Sequence, residues 1–270
     1  MSITMPAVES TPGVAFYAGA VAEVYDLLFP PDCEQVDEAF FARHIVAGEG
    51  PALEIASGTG RLLLRLLARG LPVEGLELSA DMLRICRERA SKREIPAVLH
   101  HASMVDFSLG RQFATVFVPF YSFQILTDRS EAECCLRSLY NHTAPGGKTM
   151  LTTWTHWEDM LPAGERGEKP WKLVRTGRDD DRGLFVTSSA ASEVNRTEQL
   201  QTNWFRYDVY QHGRLVETTS RIETIRFYHK YELQMMMERA GFVDVRVTGD
   251  ETDEPATDAH TSWVVTGYRR

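Results

Sequence analysis

The sequence of 270 residues predicts an α/β protein, a parallel sheet with helices on both faces, followed late in the chain by an inserted antiparallel β lobe. Three observations predict it. Between residues 52 and 154, short apolar runs alternate with segments of helical spacing, the rhythm of βαβ units. Leu53-Glu54-Ile55 runs straight into the turn Ala56-Ser57-Gly58-Thr59-Gly60, after which Leu62, Leu63, Leu66 and Leu67 recur at helical spacing. Beyond Trp154 the rhythm stops. Strand-like runs such as Asn203-Trp204-Phe205-Arg206-Tyr207-Asp208-Val209-Tyr210 take over, with His212-Gly213 as a hairpin turn.

Taken in order, residues 1–13 carry too few apolar side chains to pack and are expected to form a mobile tail. Phe16, Tyr17, Ala20, Val21, Val24, Tyr25 and Leu28 predict a first helix, ending before Pro30-Pro31, and Val36 to Val46 a second. The strand at 53–55 and its helix follow. Val73 to Glu77 reads as a second parallel strand, with Ser79 capping the next helix. Ala97 to His100 and Phe113 to Val118 are further strands, Glu131 to His142 a helix, and Lys148 to Trp154 a fifth strand after the turn Pro145-Gly146-Gly147. Residues 155–227 form the expected lobe, with strands at Leu184–Ser189, Gln199–Gln211 and Leu215–Phe227 and loops at Gly164–Pro170 and Gly177–Gly183. His229 to Ala240 returns to helix, and strands at Phe242–Thr248 and Thr261–Tyr268 close the sheet. The domain reading is therefore a tail at 1–13, a core with two covering helices at 14–154, the lobe at 155–227 and the rest of the core at 228–270.

The turn at 56–60 carries the chemistry. Glycine at 58 and 60 lets a ligand approach the backbone where the amides of a helix N-terminus point outward. A dinucleotide fingerprint needs a third glycine at position 63, which is Leu63, and no Gly-Lys-Ser/Thr follows to make a P-loop. What remains is Glu54 at the strand end, a Gly-x-Gly turn, and Glu77 at the end of the next strand, placed to accept both hydroxyls of a ribose.

With Gly75 to Met82, Pro145-Gly146-Gly147 and Ala240-Gly241-Phe242, this stretch resembles the cofactor core of class I S-adenosylmethionine-dependent methyltransferases. The resemblance implies a Rossmann-like seven-stranded sheet with its last strand antiparallel, and S-adenosyl-L-methionine as cofactor, leaving as S-adenosyl-L-homocysteine. It further implies cofactor contacts from Tyr25, Ala56, Gly58, Gly60, Arg61, Glu77, Leu78, Met82, Ser103, Met104 and Pro119. Tyr25 belongs to Tyr25-Asp26, similar to the family's common Tyr-Asp motif. Relatives usually carry Asp where this chain has Ser103, so the hydroxyl predicts a weaker or water-mediated contact to the adenine. The order of parts, including Pro119-Phe120-Tyr121-Ser122-Phe123 after the fourth strand, is similar to bacterial small-molecule N-methyltransferases of the amino-sugar and antibiotic-tailoring kind. By that likeness Tyr17, Tyr121, Gln124 and Trp154 face the acceptor, and Tyr17, Tyr25 and Gln124 orient it, Tyr17 lying two helical turns from Tyr25 on the same face. O-methylation of a small molecule and a non-catalytic cofactor-binding scaffold are the alternatives.

Methyl transfer to a neutral amine needs alignment rather than a fixed general base. His156 and His229 are the residues to test should a base be used. The net charge of −9 disfavours a nucleic-acid partner. No apolar run reaches the roughly 18 residues of a membrane span, and no basic-then-apolar leader opens the sequence, so a cytoplasmic protein is expected. Cys33, Cys86, Cys134 and Cys135 have neither Cys-x-x-Cys nor metal-ligand spacing, and Asp179-Asp180-Asp181 lies between glycines and arginines as a solvated loop, so no metal is expected. A small-molecule substrate and a homo-oligomer formed through the β lobe complete the reading.

Overall fold

The computed structural model describes residues 17–30, 36–47, 50–154 and 169–270. The tail at 1–13, Cys33 and His156 lie outside the described residues. The chain divides into two compact units, one from residues 31–159 and 225–270, the other from residues 1–30 and 160–224.

The larger unit holds a seven-stranded sheet in the order β10-β11-β5-β4-β1-β2-β3. Its strands are β1 (Ala52–Ile55), β2 (Val73–Glu77), β3 (Leu99–His101), β4 (Phe113–Val118), β5 (Thr143–Trp154), β10 (Val243–Gly249) and β11 (Ser262–Tyr268). β1 pairs in parallel with β2 and β4, and β11 runs antiparallel to both β10 and β5. This is the fold class that the sequence predicts. Every residue of β1 and β2 is buried, as expected of parallel strands covered on both faces. The chain winds outward from β1 through β2 to β3, then returns to build β4 and β5 on the other side. The carboxyl ends of β1 and β4 thus flank the topological switch point, where open α/β sheets bind ligands.

Two apolar layers sandwich the sheet. On one, Phe40, Phe41 and Ile45 of α2 (Val36–Ala47) join Leu63, Leu64 and Leu66 of α3 (Leu63–Ala68) and Cys86 of α4 (Ala80–Lys92), and Phe41 stacks on Phe117 at 4.8 Å. On the other, α5 (Arg129–His142) contributes Cys135, Leu136 and Leu139, and α6 (Lys230–Ala240) contributes Leu233 and Met237. Local chemistry sets the helix starts. Ser79 Oγ accepts the Met82 amide at 3.2 Å, the cap that the sequence predicts, and Asp128 accepts the amides of Ser130 and Glu131.

The smaller unit is a four-stranded sheet in the order β6-β7-β8-β9, comprising Lys169–Asp179, Leu184–Asn195, Leu200–Gln211 and Arg214–Arg226. Its β6 is a strand where the sequence reads loops at both ends. Glycine and aspartate weaken the local signal, and pairing with β7 from Lys169↔Ser192 to Asp179↔Leu184 supplies what propensity does not. Helix α1 (Ala20–Leu28) belongs to this unit and not to the core: Val21, Val24 and Leu28 pack with Val186, Tyr207 and Val209. The approach is close enough that a Cβ at Gly177 would collide with the Leu27 carbonyl. Among the described residues no helix is long and apolar enough to cross a membrane, and no three potential ligands cluster to hold a metal.

Candidate active site

The turn after β1 is held open by the end of β2. Ala56, Gly58 and Gly60 take φ of 57°, 55° and 78°, a left-handed path that reverses the chain between strand and helix. The Glu77 carboxylate secures it, Oε2 accepting the Gly58 amide at 2.9 Å and Oε1 the amides of Leu78 and Ser79, each at 2.8 Å. A carboxylate offers about four acceptor positions, so this arrangement leaves Oε2 one lone pair for a hydroxyl. The two glycines have different reasons to be glycine. A Cβ on Gly60 would lie 2.6 Å from Cys86 Sγ, whereas one on Gly58 would meet nothing within 4 Å. Gly58 thus borders open space at the carboxyl end of the sheet.

Two buried polar atoms beside this turn have no hydrogen-bond partner among the described residues, Glu54 Oε2 and Ser57 Oγ. Burial pushes the Glu54 carboxyl well above the usual carboxylate range, with Arg61 opposing and Asp37 and Glu77 adding to the rise. An unmatched buried acceptor of this kind is costly and is relieved by a cationic or hydrogen-donating ligand. The sequence places Glu54 at the strand end and assigns it no role, because only the fold shows that no described donor reaches its Oε2.

The opposite wall comes from the end of β4. Pro119 is buried, and Phe120 and Tyr121 are consecutive non-glycine residues in the left-handed region, with φ of 53° and 61°. Such conformations cost on the order of 1–3 kcal/mol each and concentrate at functional sites. Arg61 braces this wall. Its guanidinium lies 4.9 Å from the Phe120 ring centroid and bonds Asp37 of α2 at 2.6 and 3.3 Å. The Tyr121 amide donates to Thr152 Oγ1 at 2.9 Å, and its ring lies 6.2 Å from that of half-exposed Trp154. Leu78 is exposed at the end of β2, while Ser103 and Met104 are half-buried after β3. Ser103 Oγ accepts the Val105 amide at 3.2 Å, closing its own turn and keeping one lone pair and its proton.

Three expectations change. Gln124, expected to orient the acceptor, is 1% exposed and fully engaged. Its Nε2 donates to the carbonyls of Trp154 and Arg226 at 3.0 Å, and its Oε1 accepts the Trp154 amide at 2.7 Å. It clamps the point where the chain leaves the sheet to the point where it returns, and has no donor left for a substrate. Met82, expected at the cofactor, is 2% exposed on the inner face of α4 with Leu83 and Cys86. Tyr17 and Tyr25 do not share a helix, because α1 starts at Ala20 after Gly19 at φ 57°. The rings still meet edge to face, with centroids 5.8 Å apart, and both belong to the unit of the β lobe. Tyr17 donates to Glu223 Oε1 at 3.1 Å, a partner that sequence spacing could not reveal across 206 residues. His229 caps α6, with Glu232 returning a bond to its amide.

Residues 52–147, the strands and turns that build the glycine turn and its two walls, match a family model described as a methyltransferase domain. A curated relative, dTDP-3-amino-3,6-dideoxy-alpha-D-glucopyranose N,N-dimethyltransferase of Streptomyces fradiae, is 38% identical over 193 residues, 68% of this chain and 71% of its own. The chain is a class I S-adenosylmethionine-dependent methyltransferase. Solved structures agree on the fold of this methyltransferase. The CcbJ methyltransferase from Streptomyces caelestis superposes with a TM-score of 0.75 at 22% identity, covering 94% of this chain and 98% of its own. CalS10, described as an amino pentose methyltransferase from Micromonospora echinaspora involved in calicheamicin biosynthesis and solved with S-adenosylmethionine bound, gives 0.67 at 21%, covering 92% and 97%. The unmatched Glu54 oxygen, the open space at Gly58 and the free lone pair of Glu77 fit the ammonium, the body and a ribose hydroxyl of S-adenosylmethionine.

Proposed function

We propose that this methyltransferase N-methylates the amino group of a nucleotide-linked deoxyamino sugar. The observation that carries the reading is the identity of 38% to an enzyme named for that reaction, over a stretch of 193 residues, about twice as long as the family domain match of 96. The bound cofactor supplies an electrophilic methyl group on a sulfonium. The protein's part is alignment and exclusion of water, which suits a neutral amine nucleophile. In this reading Ala56, Gly58 and Gly60 form the backbone cradle, Glu77 accepts a ribose hydroxyl, and Glu54 faces the cofactor's ammonium. Leu78, Ser103, Met104 and Pro119 line the adenosine, while Arg61 keeps Phe120 in place. Tyr121 and Trp154 border the acceptor.

The test offers dTDP-3-amino-3,6-dideoxy-α-D-glucopyranose and its 3-hydroxy counterpart with S-adenosylmethionine, reading products by mass. Successive gain of one and two methyl groups on the amine is expected. Methylation of the hydroxyl compound alone would replace this reading by O-methylation. The enzyme is further read as cytoplasmic and as a homo-oligomer through its lobe. Trp171, Leu173 and Val174 on the edge strand β6 and Leu215 and Val216 on the edge strand β9 are exposed, and unpaired apolar edges favour self-association. Sedimentation velocity should show a species larger than the monomer of 30.5 kDa, and a purely monomeric boundary at assay concentration would remove the oligomer from the proposal.

A further inference from the structure

We propose that Glu251, in the loop between β10 and β11, is the specificity-determining residue of the acceptor site, selecting a positively charged amine over a hydroxyl. This rests on the reading of the enzyme as an amine methyltransferase. Every residue in the argument belongs to the larger unit, which also carries the glycine turn. Strand β10 is antiparallel to β11 and β11 to β5, while β5, β4 and β1 are parallel, so β10 ends at the sheet edge where β1 and β4 end.

At that edge Ser262 of β11 lies opposite Trp154 in the ladder and fixes the loop, its amide and its hydroxyl both donating to Asp250 Oδ1 at 2.9 Å. The Tyr121 hydroxyl bonds the same Ser262 side chain. Asp250 and Glu251 are consecutive non-glycine residues in the left-handed region, with φ of 47° and 52°, as Phe120 and Tyr121 are after β4. Asp253 ties the loop to α2, its Oδ2 accepting Arg43 Nη2 at 2.9 Å and its Oδ1 lying 3.3 Å from His44 Nε2. Glu251 is half-buried there, within electrostatic reach of Tyr121 and of Asp37 on α2. Asp37 lies within the same reach of Glu54, so one ion pair, Asp37–Arg61, borders both Glu251 and the glycine turn.

The carboxylates of this edge differ in what they have left to give. Asp37 holds Arg61, Asp250 holds Ser262, Asp253 holds Arg43, and Glu77 holds the amides of the turn. Glu251 has neither a hydrogen-bond partner nor a cation within ion-pair distance among the described residues. An ammonium there gains a charge-assisted bond, whereas a hydroxyl leaves the carboxylate's charge unmatched. The same negative potential repels a diphosphate, so a nucleotide-linked sugar enters with its amine toward this loop and its phosphates away from it. The role is recognition. The proton that the ammonium sheds before its lone pair attacks passes to water in a separate step.

Burial pushes the Glu251 carboxyl up to about 6, with Asp37 and Asp250 adding to the rise. Its charge is therefore present above about pH 6 and lost as the pH falls through that value, while an alkyl amine stays protonated throughout. Of the other groups here, the Tyr121 phenol is pushed up by burial and stays neutral, and His44, which holds Asp253, is pushed down from the usual imidazole range. Nothing in the sequence singles out Glu251, because Asp250-Glu251-Thr252-Asp253-Glu254 reads as a solvated acidic loop.

The test compares the wild type with Glu251→Gln and His44→Gln, each checked for folding by thermal melting. Calorimetry with S-adenosyl-L-homocysteine present measures binding of dTDP-3-amino-3,6-dideoxy-α-D-glucopyranose and of its 3-hydroxy counterpart, at about pH 7.5 and about pH 5. The wild type should prefer the amine by about tenfold or more at the higher pH and lose most of that preference at the lower. Glu251→Gln should show little preference at either pH while keeping affinity for the hydroxyl compound. Its KM for the amine should rise by about tenfold, with kcat changed less and the KM for S-adenosylmethionine unmoved, a split that a general structural defect would not give. Wild-type amine preference and pH dependence in folded Glu251→Gln would overturn this inference alone. Should Glu251→Gln not fold, His44→Gln carries the pH test free of the imidazole, and an amine preference that is flat between the two pH values overturns the assignment. Failure of the wild type to bind or methylate any of a panel of aminodeoxy sugar nucleotides would overturn it together with the proposed function.

Discussion

Replacing Gly58 by Val is expected to lower the affinity for S-adenosylmethionine by about a hundredfold or more with the fold retained. The backbone at Gly58 has φ +55°, a region costing roughly 1–2 kcal/mol for a residue with a Cβ and more for a branched one. The new side chain would project into open space, so nothing in the core resists it and the loss falls on the ligand. About 1.4 kcal/mol is tenfold in affinity, so backbone strain and occupied volume together reach the stated size. Glu77→Ala should lose as much by another route. It removes the free lone pair, and it leaves the amides of Gly58, Leu78 and Ser79 without their acceptor, so the turn itself loosens. Calorimetric titration of both folded variants decides the matter, and wild-type affinity in both would remove the turn from the cofactor site.

Gln124→Ala is expected to destabilise the core unit by about 3 kcal/mol, chiefly through unpaired backbone groups and an empty volume. The side chain hydrogen-bonds the Trp154 amide and the Trp154 and Arg226 carbonyls at a buried junction. Arg226 Nε also donates to the Thr127 carbonyl at 2.8 Å, so the loss should spread to the loop before α5. Urea unfolding reads the difference. A folded Gln124→Ala with unchanged midpoint and a turnover lowered at constant stability would restore Gln124 to the acceptor site and refute the clamp.

The sequence had little difficulty with β1, β2 and the turn between them and their helices. Those elements are specified by neighbours in the chain: an unbroken apolar run for a strand covered on both faces, glycine where φ must be positive, and a serine cap two residues after Glu77. Strand β6 was less legible because its hydrogen bonds are supplied by β7, and a strand stabilised by its partner carries a weak local pattern. Tyr17, before α1, and Tyr25, within it, mark the same boundary. Spacing puts them on one helix, while the backbone at Gly19 delays the start of that helix to Ala20 and lets Tyr17 turn toward β9.

Family membership, the glycine turn proposed for the cofactor and the acidic residue that closes it were legible in the sequence alone, since each rests on a run of a few residues whose types dictate backbone geometry. The tertiary structure alone decided which polar groups are free to act. Gln124 and Glu223 illustrate the difference. Both are polar side chains near aromatic residues, but the fold fills both donors of Gln124 with backbone carbonyls and gives Glu223 a phenol and, among the described residues, no cation. Hydrogen-bond satisfaction and desolvation depend on atoms brought together from 102 and 206 residues apart, and such distances leave no trace in local pattern.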